Sequence, residues 1–150
     1  MVDRDQILKL MDDSEAVYLA TIGERGPRIR ALVNLRRADR YPEPSKICRA
    51  AGFTVYLATS RASDKIREIS ANPAVALYYC DPTTYHGVML AGRAELLDDA
   101  ELKKALWSSD WRVYWPTGAS DPDYVVVQIR AEEVSGWWSG KEFSLEQGPA

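Results

Sequence analysis

Apolar and polar positions along this chain follow two different periods. Within Asp3–Asp13, Ile7, Leu8, Leu10 and Met11 recur at helical spacing. Asp3 and Asp5 lie near the positive end of the helix dipole, so a short amphipathic helix is predicted in residues 1–14. Ala16–Ile22 and Arg28–Leu35 are β-rich runs flanking Gly23-Glu-Arg-Gly26, which predicts a hairpin. In its second strand Arg28 and Arg30 share one face, and Ile29 and Ala31 the other, because strand side chains alternate. Phe53–Thr59 reads as a third strand. Ser60-Arg-Ala-Ser63 then supplies a helix start, with Ser63 as N-cap, for Asp64–Ala71, stopped by Asn72-Pro73.

Ala74–Cys80 and Gly87–Leu96 continue as strands, and Gly92 inside the latter suggests a bulge or a close backbone approach. A helix is expected from Asp98-Asp99 to about Trp107, followed by a Trp/Tyr-rich stretch ending at Pro116. Asp121-Pro-Asp123 is a turn before the strand Tyr124–Arg130, and Glu133–Trp138 reads as a short edge. Residues 36–52, with two prolines and many charges, read as a long loop, and a loop of that length in a compact domain is often functional. Residues 139–150 read as a loose tail. Six strands joined by hairpins or single helices, with about three helices, favour a mostly β fold: a six-stranded antiparallel split barrel with peripheral helices, rather than a doubly wound parallel sheet.

At 150 residues, 46% apolar and 27% charged, the chain is expected to be one globular domain, 1–150, large enough to bury a core without disulfides or metals. Its two cysteines, Cys48 and Cys80, form no Cys-x-x-Cys pair, which suits reduced thiols in the cytoplasm. No apolar run is long enough to span a membrane, and the acidic N-terminus is unlike a signal peptide. The net charge of −3 conceals an imbalance: Arg25–Arg49 holds eight basic residues against two acidic ones. A cationic strip on an otherwise acidic chain is either a solvated face or a local anion site; a nucleic-acid surface would make the whole domain basic.

Candidate chemistry is sparse. There is one histidine, His86, beside Gly87, and no nucleophile elbow, metal-ligand cluster, Walker sequence or Gly-x-Gly-x-x-Gly. Catalytic residues therefore stay unassigned, and any enzymatic chemistry is expected to come from a bound cofactor. Thr59-Ser-Arg-Ala-Ser-Asp-Lys65 is the informative stretch. Where the strand gives way to the helix, Thr59, Ser60, Ser63 and Lys65 converge on unpaired backbone N–H groups, which is suited to a phosphate. Arg28 and Arg30 could add fork-shaped donors. The alternative is that Ser63 merely caps the helix and Lys65 lies in solvent. Trp107, Trp111 and Trp115 form one stripe if helical, which suits packing; the other reading, with Tyr114, is an aromatic wall beside a ligand.

These segments resemble the FMN-binding split barrels related to pyridoxamine 5'-phosphate oxidase, and within them the short general-stress-protein branch. The resemblance runs from about Ala16 to Trp138. It rests on Leu19–Arg30, Phe53–Lys65, Asn72-Pro-Ala-Val-Ala-Leu77, Gly92-Arg-Ala-Glu95, Asp121-Pro-Asp-Tyr124 and Trp137-Trp138. It implies a homodimer with FMN between subunits, the phosphate held by Arg30, Ser63 and Lys65 with Arg28 nearby. It implies further that the backbone of Ala31, Leu32, Val33 and Asn34 lines the flavin ring, and that Thr59 and Ser60 lie beside the ribityl chain. The partner subunit is expected to add its Gly87 and a late tryptophan, Trp138 or Trp137.

The expected function is an FMN-dependent oxidoreductase, with a nicotinamide nucleotide as possible reductant drawn to the Arg36–Arg49 strip. The alternatives left open are a flavin-binding module without substantial turnover, or a split barrel holding haem, a deazaflavin or no cofactor. Two departures from the vitamin-processing oxidases stand out. Asp64 precedes Lys65 where those enzymes carry an arginine, and a carboxylate there opposes a phosphate unless it points away. Residues 139–150 contain no Arg or His, so the substrate-clamping Arg-x-His pattern is missing and true oxidase activity is not expected.

Overall fold

The structure is a computed structural model that describes residues 1–145. A capping box opens helix α1 (Arg4–Asp13): the Asp3 carboxylate accepts from the Gln6 amide at 2.8 Å, and the Gln6 side chain accepts from the Asp3 amide at 2.9 Å. Strands β1 (Ala16–Gly23) and β2 (Gly26–Val33) form the hairpin, then come helix α2 (Pro42–Ala50), β3 (Thr54–Ser60) and α3 (Asp64–Ala71). The chain continues as β4 (Ala74–Asp81), β5 (His86–Leu97), α4 (Ala100–Ala105), two 3₁₀ turns, β6 (Tyr124–Trp138) and β7 (Lys141–Leu145).

All strand pairs are antiparallel, and the sheet runs β2-β1-β4-β5-β6-β3, with β7 hydrogen-bonded to β6 off this path. It curls into a six-strand half-barrel whose end strands, β2 and β3, touch without pairing; this is the expected split barrel. The interior is filled by alternate residues such as Leu19, Leu77, Leu90 and Ile129, and α1 plugs it with Ile7 and Met11. Each such side chain, removed from water, contributes roughly 1.5–3 kcal/mol.

The unbroken apolar run Tyr124–Val127 reflects burial on both faces of β6. Val125 and Val127 face the barrel. Tyr124 and Val126 face a second cluster holding Leu35, Tyr41, Cys48, Leu106, Trp111 and Trp115. Gly92 marks the expected bulge: the β5/β6 register shifts at Ala91/Gly92, where a Cβ would lie 2.1 Å from the Arg130 carbonyl oxygen.

Four expectations need correction. Residues 36–52 are not all loop: α2 forms there because Pro42 and Pro44 sit in its first turn, where no amide donor is missed, and Pro44, Ser45 and Cys48 turn inward. The tail is not all loose, since Ser139 (φ 49°) and Gly140 (φ 80°) make a two-residue turn that folds β7 back onto β6; positions 146–150 of that expectation lie outside the described residues. The short edge Glu133–Trp138 is the second half of one long β6. The three tryptophans do not ride on one helix, for α4 stops at Ala105 and Trp111 sits in the 3₁₀ turn Ser109–Val113. Their rings still converge, with centroids 5.8–6.1 Å apart and Trp115 5.0 Å from Tyr124, so they are core packing, while Tyr114 stays exposed.

Candidate functional site

Register brings the second-strand arginines to the α3 side of the sheet. Arg30 is paired with Leu19 and Arg28 with Thr21, both partners buried, and α3 packs against β1 at this point. The Arg30 guanidinium donates through Nη1 to the Thr21 hydroxyl (2.8 Å) and the Leu19 carbonyl (3.3 Å), and through Nη2 to Glu68 Oε1 (2.7 Å). Thr21 in turn donates to the same Glu68 oxygen at 2.7 Å, and Arg28 Nη1 stands 4.0 Å from Glu68 Oε2. The Thr21 hydrogen bond, then that of Arg30, holds the Glu68 carboxyl below the usual glutamate range against its burial.

Lys65, in the first turn of α3, donates from Nζ to the Thr59 hydroxyl at 2.8 Å. Burial lowers its pKa, and the nearby Arg30 charge lowers it further. Lys65 and Arg30, the latter ion-paired with Glu68, are near enough for their charges to disfavour each other, and a further anion close to both is favoured. Ser63 has the N-cap backbone conformation, but its side chain caps nothing, contrary to the expectation drawn from its position. Its Oγ is buried and has no hydrogen-bond partner, whereas buried hydroxyls nearly always have one. Thr59, Ser63, Lys65 and Arg30 are therefore gathered at one strand-to-helix junction, and a phosphate fits this donor set: two cations, an orphaned hydroxyl and a helix N-terminus.

Asp64 does not spoil the junction. Its carboxylate is exposed and ion-paired with Arg67 at 2.9 Å, one turn along α3, and its effect on Lys65 is smaller than those of burial and Arg30. Ser60 ends β3, and its carbonyl accepts from the Ser63 amide at 3.1 Å. Ala31, Leu32 and Val33 belong to β2, which among the described residues pairs only with β1, so the backbone of its outer edge is free of ladder bonds to them.

The Asn34 side chain is committed elsewhere: its Nδ2 donates at 2.8 Å to the carbonyls of both Met11 and Ser14, and its Oδ1 accepts from the Arg36 amide. Gly87 and Trp138 lie far from the junction. Ser60 pairs with Tyr124 at one end of β6, and Trp138 stands at the other end, where Gly87 pairs with Trp137. Trp138 is stacked on His86, centroids 4.1 Å apart, and Gly87 is covered by Tyr78, whose hydroxyl a Cβ would meet at 1.9 Å.

Part of the basic strip is engaged by the fold itself. Arg36 is 3% exposed; its Nε donates to Asp12 at 2.8 Å and its Nη1 to the carbonyls of Cys48 and Gly52. Arg49 lies 3.5 Å from the same Asp12, Arg37 pairs with Asp39, and Lys46 pairs with Glu43. Reading the sequence missed Glu68 and Thr21. The available signal was a carboxylate three residues after Lys65, between the inward-facing Ile66 and Ile69.

A curled, split antiparallel barrel defines the class of split-barrel proteins. A family profile described as pyridoxamine 5'-phosphate oxidase matches residues 4–138, and the chain belongs to that family. It is 28% identical to general stress protein 26 of Bacillus subtilis, over 87% of this chain and 85% of that protein. The crystal structure of a Clostridium acetobutylicum protein related to general stress protein 26 superposes with a TM-score of 0.75 at 26% identity, covering 97% of this chain and 96% of that one. A haem-binding protein from Mycobacterium smegmatis shares the fold, with a TM-score of 0.66 at 19% identity, covering 97% of this chain and 59% of that one. Among the described residues no helix is long and apolar enough to cross a membrane, and no cluster of metal-ligating side chains is present.

Proposed function

We propose that this chain binds FMN, its phosphate at the junction of β3 and α3, and works as an FMN-dependent oxidoreductase. The observation that carries this reading is Lys65 in the first turn of α3, hydrogen-bonded to Thr59 at 2.8 Å and close enough to Arg30 to feel its charge. Ser63, Lys65 and Arg30 would hold the phosphate, Thr59 and Ser60 would lie beside the ribityl chain, and the backbone of Ala31–Asn34 would face the ring. FMN, when bound, supplies hydride or single-electron transfer, and the chain's own residues bind it, orient it and exclude water. Lys65 keeps its proton on Nζ as the phosphate's counter-charge. The Asn34 side chain holds α1 against β2 and takes no part.

The second copy of this chain is part of the proposal. Ile29 (70% exposed), Ile22, Val33, Tyr18 and Tyr78 lie on the outer face of three adjacent strands, β2, β1 and β4. A contiguous apolar face of this kind suits association. Gly87 and Trp138, separated from the junction by the length of β6, could meet a flavin there only from a partner subunit.

The test is titration of the full chain with FMN and with riboflavin, which lacks the phosphate. The wild type is expected to prefer FMN, and the Arg30→Ala, Lys65→Ala double variant to lose that preference. Equal FMN affinity in both proteins would refute the phosphate assignment. Reduction of bound FMN by NADH or NADPH then separates an oxidoreductase from a flavin-binding module. Haem is the reading that the Mycobacterium smegmatis neighbour raises. His86, the one histidine, has its ring stacked on Trp138 and its Nε2 3.3 Å from Ser139 Oγ, so it already has partners on a face and at one nitrogen. A Soret band in the purified protein would favour haem over FMN.

A further inference from the structure

A guanidinium carries five N–H donors. In Arg30 three are engaged: both on Nη1, to Thr21 and Leu19, and one on Nη2, to Glu68. Two remain for a ligand. Glu68 is 8% exposed, and its Oε1 is shared by Arg30 and Thr21, so the carboxylate is built into the site. Around the junction Arg28, Arg30 and Lys65 are cationic, Asp64 is paired with Arg67, and among the described residues Glu68 is the anion paired with Arg30. Any phosphate binding Arg30 must share it with Glu68.

We propose that Glu68 is an internal counter-anion of the cofactor site: with Thr21 it holds Arg30 in place with two donors to spare, and its charge limits how tightly the phosphate is held. This inference rests on the FMN reading above. Two anions on one guanidinium stand on the order of 5 Å apart, where their repulsion at a partly buried site is strong enough to change affinity by about tenfold or more. Glu68 is thus a positioning and affinity-setting residue that touches the cofactor's partner rather than the cofactor. It favours exchange of FMN over permanent retention.

Glu68→Gln keeps the length of the side chain and an oxygen for Thr21 and Arg30 and removes the charge, its NH2 taking the place of Oε2, which stands 4.0 Å from Arg28 Nη1. In fluorescence-quenching titrations of the full-length apoprotein, Glu68→Gln is expected to tighten FMN by about tenfold or more while leaving riboflavin unchanged. Glu68→Asp, which keeps the charge, is expected not to tighten it. A merely structural role would move both ligands together. An unchanged or smaller FMN-to-riboflavin affinity ratio in Glu68→Gln overturns the proposal, provided that the wild type prefers FMN and the Arg30→Ala, Lys65→Ala variant does not. If the wild type shows no such preference, the FMN reading itself has failed. Circular dichroism checks folding; should Glu68→Gln not fold, Glu68 is structural and the idea is refuted.

Discussion

Replacing Ser63 with alanine should move stability and cofactor affinity in opposite directions. The Ser63 hydroxyl oxygen is buried without a partner and does not cap α3, so its removal breaks no hydrogen bond. A buried polar group left unsatisfied costs roughly 1–3 kcal/mol, and the small void left by one oxygen returns part of that. The expected net effect is a ligand-free protein more stable by about 1 kcal/mol, a rise in Tm of roughly 2–4 °C for a domain of this size. Toward FMN the same change deletes a hydrogen bond to a charged phosphate, worth about 1.5–3 kcal/mol, so Kd should rise by about tenfold or more. Riboflavin affinity should not change. Thermal melts of the apoprotein and paired titrations with the two flavins measure all three quantities. A Ser63→Ala protein that is less stable by about 1 kcal/mol and binds FMN as wild type does would show the hydroxyl to be an ordinary structural group.

Three further outcomes are expected. Because burial and Arg30 lower the Lys65 pKa, while a phosphate would stabilise its charged form, FMN affinity should fall as pH rises toward the ordinary lysine value of 10.5, starting below it; Lys65→Met should bind weakly and lack this alkaline slope. Arg36→Met leaves Asp12 and the Cys48 and Gly52 carbonyls without their partner, and should cost roughly 3–5 kcal/mol in urea denaturation with the FMN-to-riboflavin affinity ratio unchanged, against a much larger change in that ratio if the strip were an anion site. Ile29→Asp places a charge on the exposed apolar face of β2 and should give a folded monomer in analytical ultracentrifugation, whereas the wild type is expected to be a dimer; a dimer in both would place the interface elsewhere.

Much of the junction was legible because its signals are local. A β-branched run, a hydroxyl-rich turn and an Asn-Pro stop delimit β3 and α3, and strand alternation puts Arg28 and Arg30 on one face whatever surrounds them. The alternation could not say what that face meets. Glu68 reaches Arg30 across 38 positions of sequence and Thr21 across 47, and nothing near any of the three announces the contact. Arg36 illustrates the converse: a cation in a basic strip looked available to a ligand, yet the fold buries it against Asp12, 24 positions earlier. Charge counted along a chain ignores the partners that folding supplies.

By itself the sequence determined most of the elements, the antiparallel character of the sheet and the chemistry gathered at one turn, because periodicity, turn residues and capping act over a few neighbouring positions. Only the tertiary structure decided which of those groups are spent on one another and which remain for a ligand. Ser63 Oγ, buried without a partner, and Glu68, buried with two, differ in what the folded sheet brings to each, since hydrogen bonding and ion pairing depend on distances that no local pattern encodes.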